Sequence, residues 1–430
     1  MSKAVLGGVA SNLIKCPGFS IRRVRMRSFP IYLDYAATTP CSDKVLEEML
    51  PYFTEHYGNP NSLHAFGFDA LKALNVARSE VAALIGADPE EIVFTSGATE
   101  SSRISIERVS SLTHKKFVTT KSEHKSVLDC ADIIKSRGIE VSYLNIKSDG
   151  LIDFEHLDSI LDTSVGLLSI CMVNNETGVI QDIKRIANLC HAKGVLLHTD
   201  ATQAFGKIPI NIRDLDVDFL SASAHKIYGP KGIGILFFKK ENKRLLRVPM
   251  ANHEVEYGLR AGTVPVALCV GMGKAAEIAK SEMSSDFSRI TGLRAVLVEN
   301  LSAALDETYI NGSAESHYPG IVNISFRGCE GEALMMECKR IAVSSGSACT
   351  SNKLSISHVL NSMSIPADIA QSSIRISIGK PTTKPDILIA IEDLIAATTK
   401  LRQMSPIWDM IKAGVDIGSI FEGKHCDYAV

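Results

Sequence analysis

Seven short apolar runs alternate with helix-length segments between residues 92 and 238, and this alternation constrains the fold more than any other feature of the chain. The runs fall at 92–94, 116–119, 141–143, 167–173, 195–198, 219–221 and 234–238. Apolar residues at helical spacing fill several gaps, at 71–85, 127–136 and 183–193. Strand and helix in repetition predict an α/β domain on a mostly parallel sheet, because parallel neighbours need a crossover connection. Ligands in such sheets sit beyond the carboxyl ends of the strands. A long helical pattern at 267–299 leads to a remainder that mixes strands (321–326, 373–378) with helices (330–339, 384–402). At 430 residues, two domains are expected. We assign 46–282 to a large domain, and 31–45 with 283–430 to a smaller α+β domain.

Residues 1–30 stand apart. Lys3, Lys15, Arg22, Arg23, Arg25 and Arg27 lie among scattered serines, and the first acid is Asp34. A basic, serine-bearing, acid-free start is the composition of a mitochondrial targeting segment, with a disordered tail as the alternative. A net charge of −2 leaves no electrostatic footprint for nucleic acid. No uncharged apolar stretch approaches the ~18 residues of a membrane helix, so no membrane partner is expected. The ten cysteines are dispersed, with no CxxC pair and no metal spacing, so most read as buried residues in a reducing compartment.

Chemistry enters at the strand ends. Thr95-Ser96-Gly97-Ala98-Thr99-Glu100 joins a strand to a helix, and the amides of Ala98 and Thr99 with the Thr99 hydroxyl can hold a phosphate. His124, in Ser122-Glu123-His124-Lys125-Ser126, can stack on a ring and exchange protons near neutral pH. Asn174-Asn175 follows another strand, and either amide can reach a carboxylate or a phenolic oxygen. Asp200, in Thr199-Asp200-Ala201-Thr202-Gln203, can keep a pyridine nitrogen protonated, and Gln203 can donate to the ring's phenolic oxygen. Lys226, in Ser223-Ala224-His225-Lys226, is the amine that would condense with an aldehyde, flanked by Ser223 and His225 as phosphate donors. Each motif alone is common; in this order they are what pyridoxal phosphate requires.

The reaction depends on another group. Cys349 lies in Ser344-Ser345-Gly346-Ser347-Ala348-Cys349, a polar surrounding that permits the nucleophilic thiolate. Arg375, on a strand of the second domain, can clamp an α-carboxylate.

These motifs, with Tyr32-Leu33-Asp34-Tyr35-Ala36-Ala37-Thr38-Thr39-Pro40 and Gly58-Asn59-Pro60-Asn61-Ser62, resemble the ISC-type cysteine desulfurases of bacteria and mitochondria, in the class V aminotransferase family. The resemblance spans nearly everything from 31 to 420. It implies the fold type I architecture of pyridoxal-phosphate enzymes, a large domain with a seven-stranded sheet beside the smaller one. It implies conversion of L-cysteine to L-alanine, with Lys226, His124 and Cys349 as catalytic groups. Ala98, Thr99, His124, Asn175, Asp200, Gln203, Ser223, His225 and Lys226 would hold the cofactor, and Asn175 and Arg375 the substrate.

The same likeness sends Thr263, in Arg260-Ala261-Gly262-Thr263, to the phosphate of the partner subunit in a homodimer. It further implies an iron–sulfur scaffold protein docking on the tail at 401–416, a LYR-type accessory subunit, acyl carrier protein and frataxin. The expected location is the mitochondrial matrix or a mitosome. No metal is expected in the free enzyme, although Cys349 would meet iron–sulfur cluster atoms in the scaffold complex. The chain departs from the family at Asn252-His253-Glu254-Val255, Ser102-Arg103 and Ser355-Ile356. Two alternatives stay open: a related selenocysteine lyase or aminotransferase, and a degenerate chain retained as an assembly partner.

Overall fold

The structure, a computed structural model, describes residues 30–113, 115–246, 255–345, 356–415 and 417. The expected targeting segment, Asn252-His253-Glu254 and Cys349 lie outside the described residues. Twelve strands form among the described residues. They are β1 (Ile31–Tyr32), β2 (Ile92–Thr95), β3 (Lys116–Thr120), β4 (Val141–Leu144), β5 (Val165–Cys171), β6 (Leu196–Asp200), β7 (Phe219–Ser223), β8 (Gly234–Phe238), β9 (Thr308–Asn311), β10 (Ile321–Phe326), β11 (Ile341–Ala342) and β12 (Ser373–Ser377).

Seven of them make one sheet in the order β2-β8-β7-β6-β5-β3-β4. Only β8 runs against the rest, pairing antiparallel with β2 and β7. Both faces of this sheet are covered, which is why its strands read as continuous apolar runs. On β8, Ile235 and Phe237 enter one core with the helices Ala65–Ile85 and Ile183–Ala192. Leu236 and Phe238 enter the opposite core with the helices Ala98–Thr113 and Lys125–Ser136.

The helix Val266–Ala304 joins this layer to a second one. Cys269, Met272, Ala275 and Ala276 pack in the large core, whereas Ile290, Leu293, Leu297 and Leu301 pack in a separate core. Gly273 permits its close crossing with Ala65–Ile85: a Cβ there would lie 2.6 Å from the Ala77 Cα. The separate core sits on the antiparallel sheet β12-β10-β9 and the helix Lys384–Gln403. The parallel pair β1-β11 binds the start of the described chain to this layer. Asp34 then bridges to Ser377 at the end of β12, and the Ala36 N–H donates to Ser377 Oγ at 2.9 Å. Residues 34–39 thereby run between the two layers, where the functional groups collect.

Candidate active site

One open cleft of about 660 Å³ brings together residues from nine stretches of sequence. That volume suits a small cofactor with its substrate. Ala98, Thr99, His124, Asn175, Asp200, Gln203, Ser223, His225, Lys226 and Arg375 all line it. Thr263 does not; it is exposed and outside the cleft of its own chain.

The anion seat forms where β2 ends. Thr95 Oγ1 lies 2.8 Å from Ser101 Oγ and donates to the Gly97 carbonyl at 3.1 Å, fixing the turn into the helix Ala98–Thr113. First-turn amides of a helix have no intrahelical acceptor, so Ala98 and Thr99 present their N–H groups and the positive helix end to the cleft. Gly234, on the neighbouring β8, is there for space: a Cβ would come within 2.6 Å of the Gly97 Cα. Behind the seat, Arg260 Nε donates to Glu100 Oε2 at 3.2 Å, and Glu100 Oε2 accepts from the Ser96 N–H. Glu256 reinforces the strand leading in. Its carboxylate takes both Nη atoms of buried Arg78, at 2.9 and 2.6 Å, and the Phe94 N–H at 2.7 Å.

Lys226 ends the short 3₁₀ turn Ala224–Lys226 that follows β7. Its Nζ donates to the carbonyls of Ala36 at 2.6 Å and Ala37 at 2.7 Å, so the segment between the layers holds the amine in the cleft. His225 contacts Thr38 Oγ1 at 3.1 Å through Nδ1. Burial and the neighbouring lysines Lys226, Lys231 and Lys207 pull its pKa down to about 4, so it is a neutral imidazole at pH 7.

Asp200 closes β6, buried, with Oδ1 accepting from the Thr202 N–H at 2.9 Å. Two residues earlier on the same face, His198 lies between Ser169 Oγ (2.7 Å) and Ser221 Oγ (2.8 Å). Burial pulls His198 to about 4, so the group beneath Asp200 is uncharged. His124 caps the helix Lys125–Ser136, its Nδ1 accepting from the Ser126 N–H at 3.2 Å. Burial lowers its pKa, with Asp200 opposing. A neutral His124 with an occupied Nδ1 carries its proton on Nε2.

The two asparagines separate clearly. Asn174 Oδ1 accepts from the N–H groups of Glu176 and Thr177, and its Nδ2 donates to the Ser122 carbonyl, so its amide builds the turn. Asn175 faces the cleft, and its carbonyl accepts from Arg375 Nη1 at 2.9 Å. Arg375 Nη2 donates to Asp34 Oδ1 at 2.8 Å, while Nε is buried without a hydrogen bond among the described residues. A buried guanidinium with donor capacity to spare suits a carboxylate ligand. Cys349 lies outside the described residues, but Ser344 before it and His358 after it both line the cleft.

Sequence reasoning missed Glu123 as a site group. It is fully buried beside Asp200, with Oε1 accepting from the Cys171 N–H at 2.7 Å and Oε2 unpaired among the described residues. Burial, with Asp200 nearby, pushes it up to about 8 from 4.5. The folded protein therefore holds this proton more tightly than the unfolded chain, and stability falls as pH rises from 4.5 through about 8. Glu123→Gln, which keeps the acceptor for Cys171, is expected to raise the melting temperature most at the alkaline end of that window and little at the acid end. A difference independent of pH in thermal melts would refute a neutral Glu123.

The matched family model is the class-V aminotransferases, over residues 31–389. The chain is 48% identical over 402 residues to "Cysteine desulfurase IscS" of Shewanella loihica, covering 92% of this chain and 99% of that protein. It is 43% identical over 400 residues to the human "Cysteine desulfurase", covering 92% and 88%. The chain belongs to the cysteine desulfurases of the class-V aminotransferase family. A solved "NIFS-LIKE PROTEIN" superposes with a TM-score of 0.81 at 34% identity, over 86% of this chain and 100% of that one. A NifS-like protein from Rickettsia africae gives 0.77 at 29% identity, over 86% and 99%. The fold is the type I fold of pyridoxal-phosphate enzymes, and the cofactor of this desulfurase family is pyridoxal 5′-phosphate. The cleft fits it: an amide-rich anion seat, a buried carboxylate at Asp200 and a positioned amine at Lys226 face one volume.

Proposed function

We propose that the protein converts L-cysteine to L-alanine, stores the sulfur as a persulfide on Cys349, and supplies it to iron–sulfur cluster assembly. The observation that carries this reading is the convergence of Lys226, Asp200, the Ala98–Thr99 amides and Arg375 on one cleft. When bound, pyridoxal phosphate supplies an aldehyde for amines and an electron sink at the substrate Cα. Ala98, Thr99, Ser223 and His225 would seat its phosphate, with Thr263 of a second copy completing the seat, and Gln203 would donate to the phenolic oxygen. Asp200 would keep the ring nitrogen protonated.

Arg375 takes the substrate α-carboxylate, with Asn175 beside it. Lys226 would accept the Cα proton, and His124 would handle the proton of the substrate thiol. The Cys349 thiolate attacks the substrate sulfur and the C–S bond breaks. Sulfur stays on Cys349 as the persulfide, and the carbon skeleton is protonated and released as alanine.

The purified protein given cysteine and a thiol reductant is expected to release alanine and sulfide in equal amounts. Cofactor-loaded protein that forms no alanine would defeat the proposal. Turnover that depends on a keto acid would favour an aminotransferase, and cofactor-free protein the degenerate partner.

The homodimer is part of the same reading. Phe53, Tyr57, Leu63, Phe66, Phe68 and Val76 are exposed around the helix Ala65–Ile85, Leu63 to 91%, and a second copy would cover them. Thr263, exposed and away from its own cleft, would reach the phosphate seat of that copy. The separate cores support the division into 46–282 and 31–45 with 283–430. The basic first thirty residues support a mitochondrial or mitosomal location. The tail helix Pro406–Lys412, whose Trp408 stacks 3.9 Å from the Arg402 guanidinium, is the surface we assign to the scaffold. LYR-type subunit, acyl carrier protein and frataxin follow from kinship alone.

A further inference from the structure

Behind Lys226 lies a second lysine, Lys207, to which sequence reasoning gave no role. Lys207 Nζ donates to Gln203 Oε1 at 2.6 Å, and Gln203 Nε2 donates to the Ala36 carbonyl at 2.8 Å. Lys226 Nζ donates to that same carbonyl at 2.6 Å. Gln203 thus stands between two lysines, joined to one directly and to the other through a shared acceptor.

The orientation of its amide follows from the neighbours. A carbonyl only accepts and an ammonium only donates, so the oxygen of Gln203 must face Lys207 and its NH₂ must face Ala36. The turn that delivers Lys207 is built for this approach. Gly206 has φ +68°, and a Cβ there would come within 2.8 Å of the Ile227 Cγ2, on the residue after Lys226. A cavity of about 30 Å³ lies against the group, its polar lining residues including Lys207, Lys226, Tyr228, Asp286, Tyr318 and Lys380. That space, with these polar groups at its wall, suits one ordered water.

We propose that Lys207 is a positioning residue of the reaction, which, by fixing the Gln203 amide, sets how readily the Lys226 nitrogen is protonated. The inference rests on the reading that Lys226 carries the cofactor. Lys207 acts in two ways. As a donor it denies Gln203 the flipped orientation, in which the amide oxygen would oppose the Ala36 carbonyl and loosen the acceptor that Lys226 uses. As a cation it opposes positive charge on Lys226.

The groups facing Lys207 are Lys226 and Arg375, which repel it, and the Tyr318 ring, 5.6 Å from its ammonium. Asp286 and Lys380 face it across the cavity, and these two pair with each other at 3.4 Å. Burial first, then Lys226 and Arg375, pull Lys207 down to about 7. Its charge therefore changes around neutral pH, being present below that value and lost above it.

The test is a pH titration of the visible band of the Lys226-bound cofactor, on holoenzyme without substrate. Lys207→Met removes donor and charge, and the midpoint is expected to rise by roughly one unit. Lys207→Arg keeps both, and its midpoint is expected to stay near wild type through the neutral range. Lys207→Gln keeps a donor without the charge, so its midpoint is expected to rise at least as far as that of Lys207→Met, in which the loosened acceptor offsets part of the rise. Turnover in Lys207→Met should fall by about tenfold in kcat with little change in KM for cysteine, the pattern of an altered base rather than lost binding. An unmoved midpoint in Lys207→Met overturns the proposal. If that variant does not fold or load, identical midpoints in the Gln and Arg variants overturn it instead. A wild-type protein with no lysine-linked band sinks the proposed function; a normal wild-type band with an unmoved variant sinks only the role of Lys207.

Discussion

Cys349→Ser protein, loaded with its cofactor, is expected to release alanine from cysteine at least ~10³-fold more slowly than wild type, while its visible band is unchanged. The substitution removes one sulfur atom. A serine hydroxyl is not ionised near neutral pH and attacks sulfur poorly, whereas a thiolate is the nucleophile that the transfer needs. The band should survive because Lys226, Asp200 and the anion seat at Ala98 and Thr99 are untouched. The cysteines among the described residues offer no substitute, because burial raises the thiol of each. Burial pushes Cys130, Cys190 and Cys338 up to about 12. Cys171 lines the cleft, yet burial, with Glu123 and Asp200 beside it, pushes its thiol well above the ordinary range. Undiminished alanine from the serine variant would remove Cys349 from the mechanism.

Lys226→Ala should be at least as severe, by a different route. The variant loses both the amine that binds the aldehyde and the base that takes the Cα proton, and such a base alone contributes about 10²–10⁴-fold. The lysine-linked band should vanish, and borohydride followed by peptide mapping should find no adduct at that position. An added small amine should restore part of the turnover, because the carbonyls of Ala36 and Ala37 still hold an ammonium-sized place. A variant that keeps the band, or keeps turnover, would move the cofactor to another residue.

Much of this was legible in the sequence because each motif sits where its strand ends. The seven strands of the large sheet read correctly because both faces are buried, which makes apolar runs continuous. Helix starts were less legible. The helix Ala65–Ile85 begins six residues before the periodic pattern, since Phe66 and Phe68 are exposed and break the amphipathic stripe. The helix Lys125–Ser136 begins two residues early because His124 supplies the cap, a role outside the usual Ser, Thr, Asp and Asn.

In the site, adjacency in sequence could not separate Asn174, spent on a turn, from Asn175, which faces the cleft. Asp34, Glu123, His198, Lys207 and His358 passed unnoticed because their neighbours come from distant strands. Asp34 meets Arg375 across a separation of 341 residues. A search for polar residues at strand ends could have flagged Glu123; nothing local marks Lys207 beyond its following Gln203 by one helical turn.

The threading of residues 34–39 between the layers has a consequence for biosynthesis. The carbonyls that hold Lys226 belong to the beginning of the described chain, yet β1 pairs with Ile341 and Ala342, and the Ala36 N–H donates to Ser377, both late in the sequence. A nascent polypeptide emerging from the ribosome can complete the large sheet long before those anchors exist. The lysine pocket therefore closes after translation has nearly ended, and loading with the vitamin B6 derivative is a late maturation event. Any processing cut that removes a leader must spare Ile31 onward, or the amine loses its cradle.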